Sequence, residues 1–143
     1  MPENNIQIRV ADWHTDKDML EDIRRQVFVE EQKVPVELEW DEFDDTSIHF
    51  LVTDTDKAIA CARLKTDGQV GRMAVLPGYR NRGIGQKLLQ YVLQVAANQK
   101  LENVYLHAQV SAITFYEKQG FTADGETFFE ASIPHREMLK KIC

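Results

Sequence analysis

The run Gly71–Leu93, GRMAVLPGYRNRGIGQKLLQYVL, constrains this chain more than any other, because it reads as a strand, a basic glycine loop and an amphipathic helix in succession. Met73, Val75 and Leu76 suit a buried strand, and Pro77-Gly78 is turn chemistry. Ile84, Leu88, Val92 and Ala96 then recur at helical spacing. Gly83 and Gly85 thus fall where a helix begins. The first helical N–H groups have no partner inside a helix and carry partial positive charge, so an anion held there gains hydrogen bonds and a favourable dipole. Arg80, Arg82 and Lys87 add positive charge nearby, and glycine lets a phosphate approach the backbone closely.

Two familiar phosphate loops are excluded by the letters. Gly78 and Gly83 have Walker spacing, but Ile84 and Gly85 stand where lysine and Ser/Thr are required. The Gly83–Leu88 stretch lacks the third glycine of a dinucleotide fingerprint and lies too far along the chain to open such a fold. An ordinary helix start with solvated basic residues is the remaining alternative at this point.

The chain has 143 residues, the size of one domain with a real core, and is read as a single domain over 1–143. Its net charge of -6 argues against nucleic acid as the main partner. Cys61 and Cys143 have no spacing that suggests a disulfide framework, and no metal site is expected from them or from His14, His49, His107 and His135. The start MPENNIQIRV has no leader character, and no stretch approaches membrane-spanning length. A soluble protein of a reducing cytoplasm, with no membrane partner, is expected.

The periodicities predict a strand over 6–11 and a helix opened by a Thr15–Asp18 capping box, with Leu20, Ile23 and Val27 as its apolar stripe to about Glu31. An acidic loop over 33–46 follows, then strands near 48–54, 57–66 and 69–76 with turns at Asp54-Thr55-Asp56 and Asp67-Gly68. The glycine helix runs to about Gln99. A strand covers 103–109, a short helix 111–119 is ended by Gly120, and strands over 121–131 and 136–142 finish the chain. The order is that of a single α/β domain with a mixed, mostly antiparallel sheet of six or seven strands and helices on both faces.

Arg80-Asn81-Arg82-Gly83-Ile84-Gly85 and Phe115-Tyr116-Glu117-Lys118-Gln119-Gly120-Phe121 occur in the order and separation of two motifs of the GNAT superfamily of acetyltransferases. Together with the Arg72–Val75 strand and the segments RRQVFVEEQKVP, YLHAQ and FFEASIPHREM, the chain resembles the ElaA/YjcF-like branch of that superfamily over almost its whole length. The resemblance implies N-acetyl transfer from acetyl-CoA to a primary amine of a small molecule or peptide. A non-catalytic acyl-CoA sensor is the alternative.

The resemblance further implies that the sheet splays between two central parallel strands, here about 70–76 and 103–109, with acetyl-CoA in the wedge. Arg80, Asn81, Arg82, Gly83, Ile84, Gly85, Gln86 and Lys87 would meet the diphosphate, and Met73, Ala74 and Val75 the pantetheine arm. The Val75 N–H is the candidate for polarising the thioester carbonyl. A fixed donor aimed at that developing oxyanion contributes about 3 kcal/mol to transition-state stabilisation. Tyr116 would serve the leaving thiolate.

Many relatives carry Asn where this chain has Gln109, which is therefore expected as a cofactor or acceptor contact. Tyr105, His107 and Gln109 alternate onto one strand face. Glu37, His107 and His135 are the expected acceptor-side residues. Glu39, between Leu38 and Trp40, is the expected general base, since partial burial would raise its pKa. Eight acidic residues and one lysine between Glu30 and Asp45 would draw a cationic acceptor. Monomer and homodimer both remain open, the latter through apolar Phe128, Ile133, Met138, Leu139 and Ile142 in the last strands.

Overall fold

In the computed structural model, residues 5–142 are described, so Cys143 and the first four residues lie outside them. Strands β1 (Ile6–Ala11), β2 (Ile48–Asp54), β3 (Lys57–Leu64) and β4 (Val70–Val75) form an antiparallel sheet in chain order. Strands β5 (Asn103–Gln109), β6 (Thr122–Glu130) and β7 (Ile133–Lys141) form a second antiparallel sheet in the order β5-β7-β6. The last strand therefore inserts between the two before it, which its position in the sequence does not reveal.

The sheets meet at one point. Gly68, at φ +96° in the β3–β4 turn, accepts the Tyr105 N–H at 3.1 Å, and Gln69 and Tyr105 form a single parallel bridge. A side chain at Gly68 would run into the Asn103 carbonyl, so glycine permits this contact. Beyond it β4 and β5 no longer pair, and a wedge opens between them.

Helix α3 (Ile84–Asn98) closes one side of this arrangement. Its predicted stripe, Ile84, Leu88, Val92 and Ala96, is buried with Leu89 against residues of both sheets, including Phe50, Ala62, Leu106 and Met138. Helix α1 (Lys17–Arg24) covers the other face of the first sheet, packing Leu20 and Ile23 with Leu51, Cys61 and Ala74. The expected Thr15 capping box does not form. Asp16 is the residue before the helix, and its carboxylate is taken by both Arg9 nitrogens and the Asp12 N–H, leaving no side-chain cap.

After Arg24 the helix widens into a π-helical segment over Arg25–Glu31, with Gln32 donating to the Val27 carbonyl at 3.0 Å. The acidic loop that follows contains a short helix, α2 (Val36–Glu39), and is clamped to the sheet by ion pairs. Arg24 reaches Glu39 at 2.9 Å and Asp44 at 2.9 Å; Arg63 of β3 reaches Asp41 at 2.7 Å and Asp44 at 2.9 Å. Arg72 of β4 reaches Glu39 at 3.0 Å and Asp41 at 3.1 Å. The Arg24 guanidinium also lies over the Trp40 ring at 4.7 Å. Three cations and three anions thus neutralise one another in a largely buried cluster.

The last two strands do not present one apolar face. Met138 is fully buried in the core and Leu139 is 40% exposed. Ile133 lines a cavity described below. Among the described residues, no helix is long and apolar enough to cross a membrane.

Burial alone would raise the Asp44 pKa, but the hydrogen bonds and charges of Arg24 and Arg63 outweigh it and hold Asp44 below the ordinary range. Its contribution to stability is therefore complete above the ordinary Asp value and lost as pH falls through the lower folded one. Glu39 has the opposite sign. Burial raises it against the charges of Arg72 and Arg24, so its contribution is favourable at low pH and declines as pH rises through the raised value. Arg24→Met leaves two buried carboxylates short of a partner and is expected to cost about 3–5 kcal/mol in urea unfolding. Arg9→Gln, at a pair whose arginine is 45% exposed, should cost no more than about 1 kcal/mol.

Candidate active site

Two cavities lie on either side of the wedge between β4 and β5. One, of about 560 Å³, is lined by Met73, Ala74, Val75, the glycine loop, Phe115 and Tyr116. The other, of about 540 Å³, lies under the acidic loop and is lined by Glu39, Arg72, His107, Glu130 and His135 among others. Gln32, Met73, Gln109, Ala112 and Tyr116 line both, so the two cavities adjoin at these side chains.

The backbone of β4 is what the first cavity exposes. Leu76 donates to the Ile59 carbonyl at 2.9 Å, which makes the neighbouring Val75–Ala60 pair the wide, non-hydrogen-bonded kind. The Val75 N–H consequently points away from β3, toward the wedge. The pairing slips between Cys61 and Arg63, so that Arg72 and Met73 form a bulge with Arg72 at φ +50°. This kink re-aims β4 where the wedge opens.

The glycine loop starts α3 as the sequence predicts, with Gly83 at φ +79° immediately before Ile84. Gly85 faces the cavity. A Cβ there would sit at ordinary contact distance from Phe115 (3.7 Å), Met73 (3.8 Å) and Val75 (3.9 Å). Asn81, Gly83, Ile84, Gly85 and Gln86 line the cavity, whereas Arg82 and Lys87 are exposed and outside its lining. The Arg82 guanidinium lies 5.0 Å from the Tyr79 ring centre.

Arg80 lines this cavity too, and its guanidinium has partners within the chain. Its Nε donates to the Val75 carbonyl at 2.8 Å, and its terminal nitrogens grip both oxygens of Glu31 at 2.7 and 2.8 Å. The guanidinium is a brace from the π-helical segment to the end of β4.

Tyr116 is held by the end of its own helix, α4 (Ile113–Lys118). Gly120, at φ +93°, ends that helix while Gly120 and Phe121 donate back to the carbonyls of Glu117 (3.0 Å) and Tyr116 (3.1 Å). Phe121 is buried below, and the Tyr116 ring meets Phe115 and Phe121 edge-on at 5.0 and 5.9 Å. The hydroxyl reaches the Met73 sulfur at 4.0 Å, and burial pushes its pKa up to about 12. It is thus a protonated phenol at neutral pH, able to donate a hydrogen bond.

On β5, Tyr105, His107 and Gln109 share one face as expected, while Val104, Leu106 and Ala108 are buried on the other. Gln109 donates to Gln32 at 2.8 Å across the boundary of the two cavities. Gln32 carries no signal in the sequence, being one polar residue at the end of a helix. His107 and His135 both line the second cavity, but Glu37 is exposed on α2 and lies outside both linings. The turn at α2 that buries Glu39 necessarily sends Glu37 outward.

Glu39 is 3% exposed and lines the second cavity, with its pKa raised by burial against the charges of Arg72 and Arg24. Both guanidiniums converge on its Oε2. The acidity of the loop is also smaller than its composition suggests, because Glu31, Glu39, Asp41 and Asp44 are all paired with arginine. Among the described residues, no group of three His, Cys, Asp or Glu side chains is arranged to hold a metal ion.

A model of the acetyltransferase (GNAT) domain matches residues 11–142. The chain is 35% identical over 122 residues to the uncharacterized N-acetyltransferase YjcF of Bacillus subtilis, covering 82% of this chain and 87% of that protein. Its fold is similar to that of Escherichia coli ElaA, with a TM-score of 0.86 and 28% identity over 94% of this chain and 99% of the other. An acyl-CoA N-acyltransferase from Pseudomonas aeruginosa is also similar, with a TM-score of 0.85 and 28% identity over 94% and 99% of the two chains.

Gly85→Val should add bulk to the first cavity without a clash at its Cβ. The expected result is acetyl-CoA binding weakened at least about tenfold by calorimetry, with a melting temperature close to that of the parent.

Proposed function

This chain belongs to the GNAT acetyltransferase family, and from that premise we propose that it moves an acetyl group from acetyl-CoA to a primary amine by direct attack on the thioester. The observation that carries this reading is the pair of cavities that adjoin at Met73, Gln109 and Tyr116. One is open to the glycine loop and the exposed backbone of β4, as a long thioester with a diphosphate needs. The other offers a separate approach for an acceptor.

In this reading the pantetheine arm lies along β4 as an added strand would, and the diphosphate meets the amides of Asn81 to Lys87 at the start of α3. Arg80 holds the loop and the Val75 carbonyl in place; Arg82 and Lys87 contribute charge at the rim. The Val75 N–H donates to the thioester oxygen. As the amine attacks, negative charge grows on that oxygen and the fixed donor becomes stronger.

Tyr116 acts on the other product. A phenol with a pKa near 12 is a weaker acid than an ordinary thiol near 8.5, so full proton transfer to the leaving thiolate is uphill by several units. Its contribution is a hydrogen bond that strengthens as charge builds on sulfur. Glu39 is a structural anchor in this scheme. Its Oε2 is already shared by the Arg24 and Arg72 guanidiniums, so the oxygen that would take a proton from an acceptor is engaged in the cluster that holds the cavity wall.

Thiol release from acetyl-CoA against spermidine, tyramine, glucosamine and lysine amide tests the activity. Release above the hydrolysis background with at least one amine is expected. Tight acetyl-CoA binding with no release for any amine would favour the acyl-CoA sensor instead. Tyr116→Phe should lower kcat about 10- to 100-fold while leaving acetyl-CoA affinity unchanged; an unaltered kcat would remove Tyr116 from the chemistry.

A further inference from the structure

The β6–β7 turn walls the second cavity and sets three ionisable side chains together. Ala131 and Ser132 both have positive φ, 50° and 66°, and this two-residue turn puts Glu130 opposite Ile133. On the same face His135 lies between Gln109 of β5 and Phe128 of β6, and His107 lies opposite Glu137. Glu130 Oε2 is 3.0 Å from His107 Nδ1, and its Oε1 is 3.9 Å from His135 Nε2. All three line the cavity.

The tautomer of His135 is fixed by its backbone. Its Nδ1 lies 2.7 Å from the Ile133 carbonyl, which can only accept, so Nδ1 carries the hydrogen and Nε2 of the neutral ring keeps a lone pair. The side chain is 10% exposed and its ring stacks on Phe128 at 6.0 Å, which limits its motion. The same accounting on His107 gives an Nδ1–H donated to Glu130, which holds that carboxylate beside His135.

We propose that His135 Nε2 takes the proton from the ammonium form of the acceptor, with Glu130 stabilising the imidazolium and His107 positioning Glu130. This rests on the reading of the site as an amine acetyltransferase. One proton passes from the ammonium to Nε2, freeing the nitrogen lone pair to form the new C–N bond. The C–S bond then breaks with its electron pair on sulfur. The nitrogen's second proton goes to that thiolate, giving amide and free coenzyme A, and His135 returns its proton to water.

The charged surroundings suit this assignment. The other titratable groups on this face are Tyr105 and His107 on β5, Asp124 on β6, and Glu137 and Lys141 on β7 itself. Arg136 donates to the Gly125 carbonyl. Across the cavity Arg63 and Arg72 are paired with carboxylates, and Lys65 with Gln69. His135 therefore has a carboxylate as its charged neighbour, where Glu39 has two guanidiniums.

The pH dependence of kcat/KM for the best amine of the panel tests the proposal, using His135→Gln and the milder Glu130→Gln, whose carboxylate is 49% exposed. The parent should show an acid limb from an imidazole. His135→Gln should lose that limb, fall about 100-fold at pH 7, and recover as pH rises and the free amine becomes abundant, with acetyl-CoA affinity unchanged. Glu130→Gln should keep the limb while lowering kcat/KM at pH 7 less than His135→Gln does. A His135→Gln protein with the parental limb would overturn the proposal, as would an Nε2–H tautomer for His135 in nitrogen-edited NMR of the free protein. A parent that binds acetyl-CoA yet acylates none of the amines would instead defeat the acetyltransferase reading itself, and the proposal with it.

Discussion

The parting of β4 from β5 is the constraint on which the rest of this structure depends. Two parallel strands that paired along their length would satisfy each other's amides and leave no cleft. Here they touch through Gly68, Gln69 and Tyr105 and then separate. Helix α3 keeps both sheets in one core, so the gap persists without loss of packing. The bulge at Arg72 and Met73 turns β4 within the gap, and the Val75 N–H is left facing it. The two adjoining cavities follow from that one defect in pairing, and with them the places the proposed function gives to thioester and acceptor.

The buried ion cluster secures the opposite wall. Arg24, Arg63 and Arg72 come from three different elements and converge on Glu39, Asp41 and Asp44 of a single loop. Burying six charges is costly unless each is paired, and such clusters contribute more to fixing one arrangement than to net stability. The loop would otherwise have little to hold it, since Val36, Leu38 and Phe43 are exposed. Arg80 plays the same part on the other side, tying Glu31 to the end of β4. Charge that stands as an acidic run or a basic loop in one dimension is in large part paired in three.

That contrast marks what was legible in the sequence. The α3 stripe, the helix start at Gly83, the turn at Gly120 and the common face of Tyr105, His107 and Gln109 are set by local periodicity and backbone conformation, and each is found where the letters put it. Which cation meets which anion depends on contacts tens of residues apart, such as Arg63 with Asp41 or Arg80 with Glu31. No spacing rule carries that information. The insertion of β7 between β5 and β6 is equally non-local, and it is what delivers His135 to Gln109 and Glu130 to His107. Thr15 fits a capping box by its neighbours alone, but Asp16 is drawn to Arg9 and the cap is lost.

The acceptor side is the part of the account most remote from local signals, while the cofactor side rests on the exposed edge of β4. Residue-resolved amide hydrogen exchange, with and without saturating acetyl-CoA, addresses that edge directly. The Val75 N–H, turned away from β3, should exchange readily in the free protein and become strongly protected when the thioester is bound, with lesser protection at the start of α3. An unchanged exchange rate at Val75 under saturation would contradict the wedge as the site of the thioester.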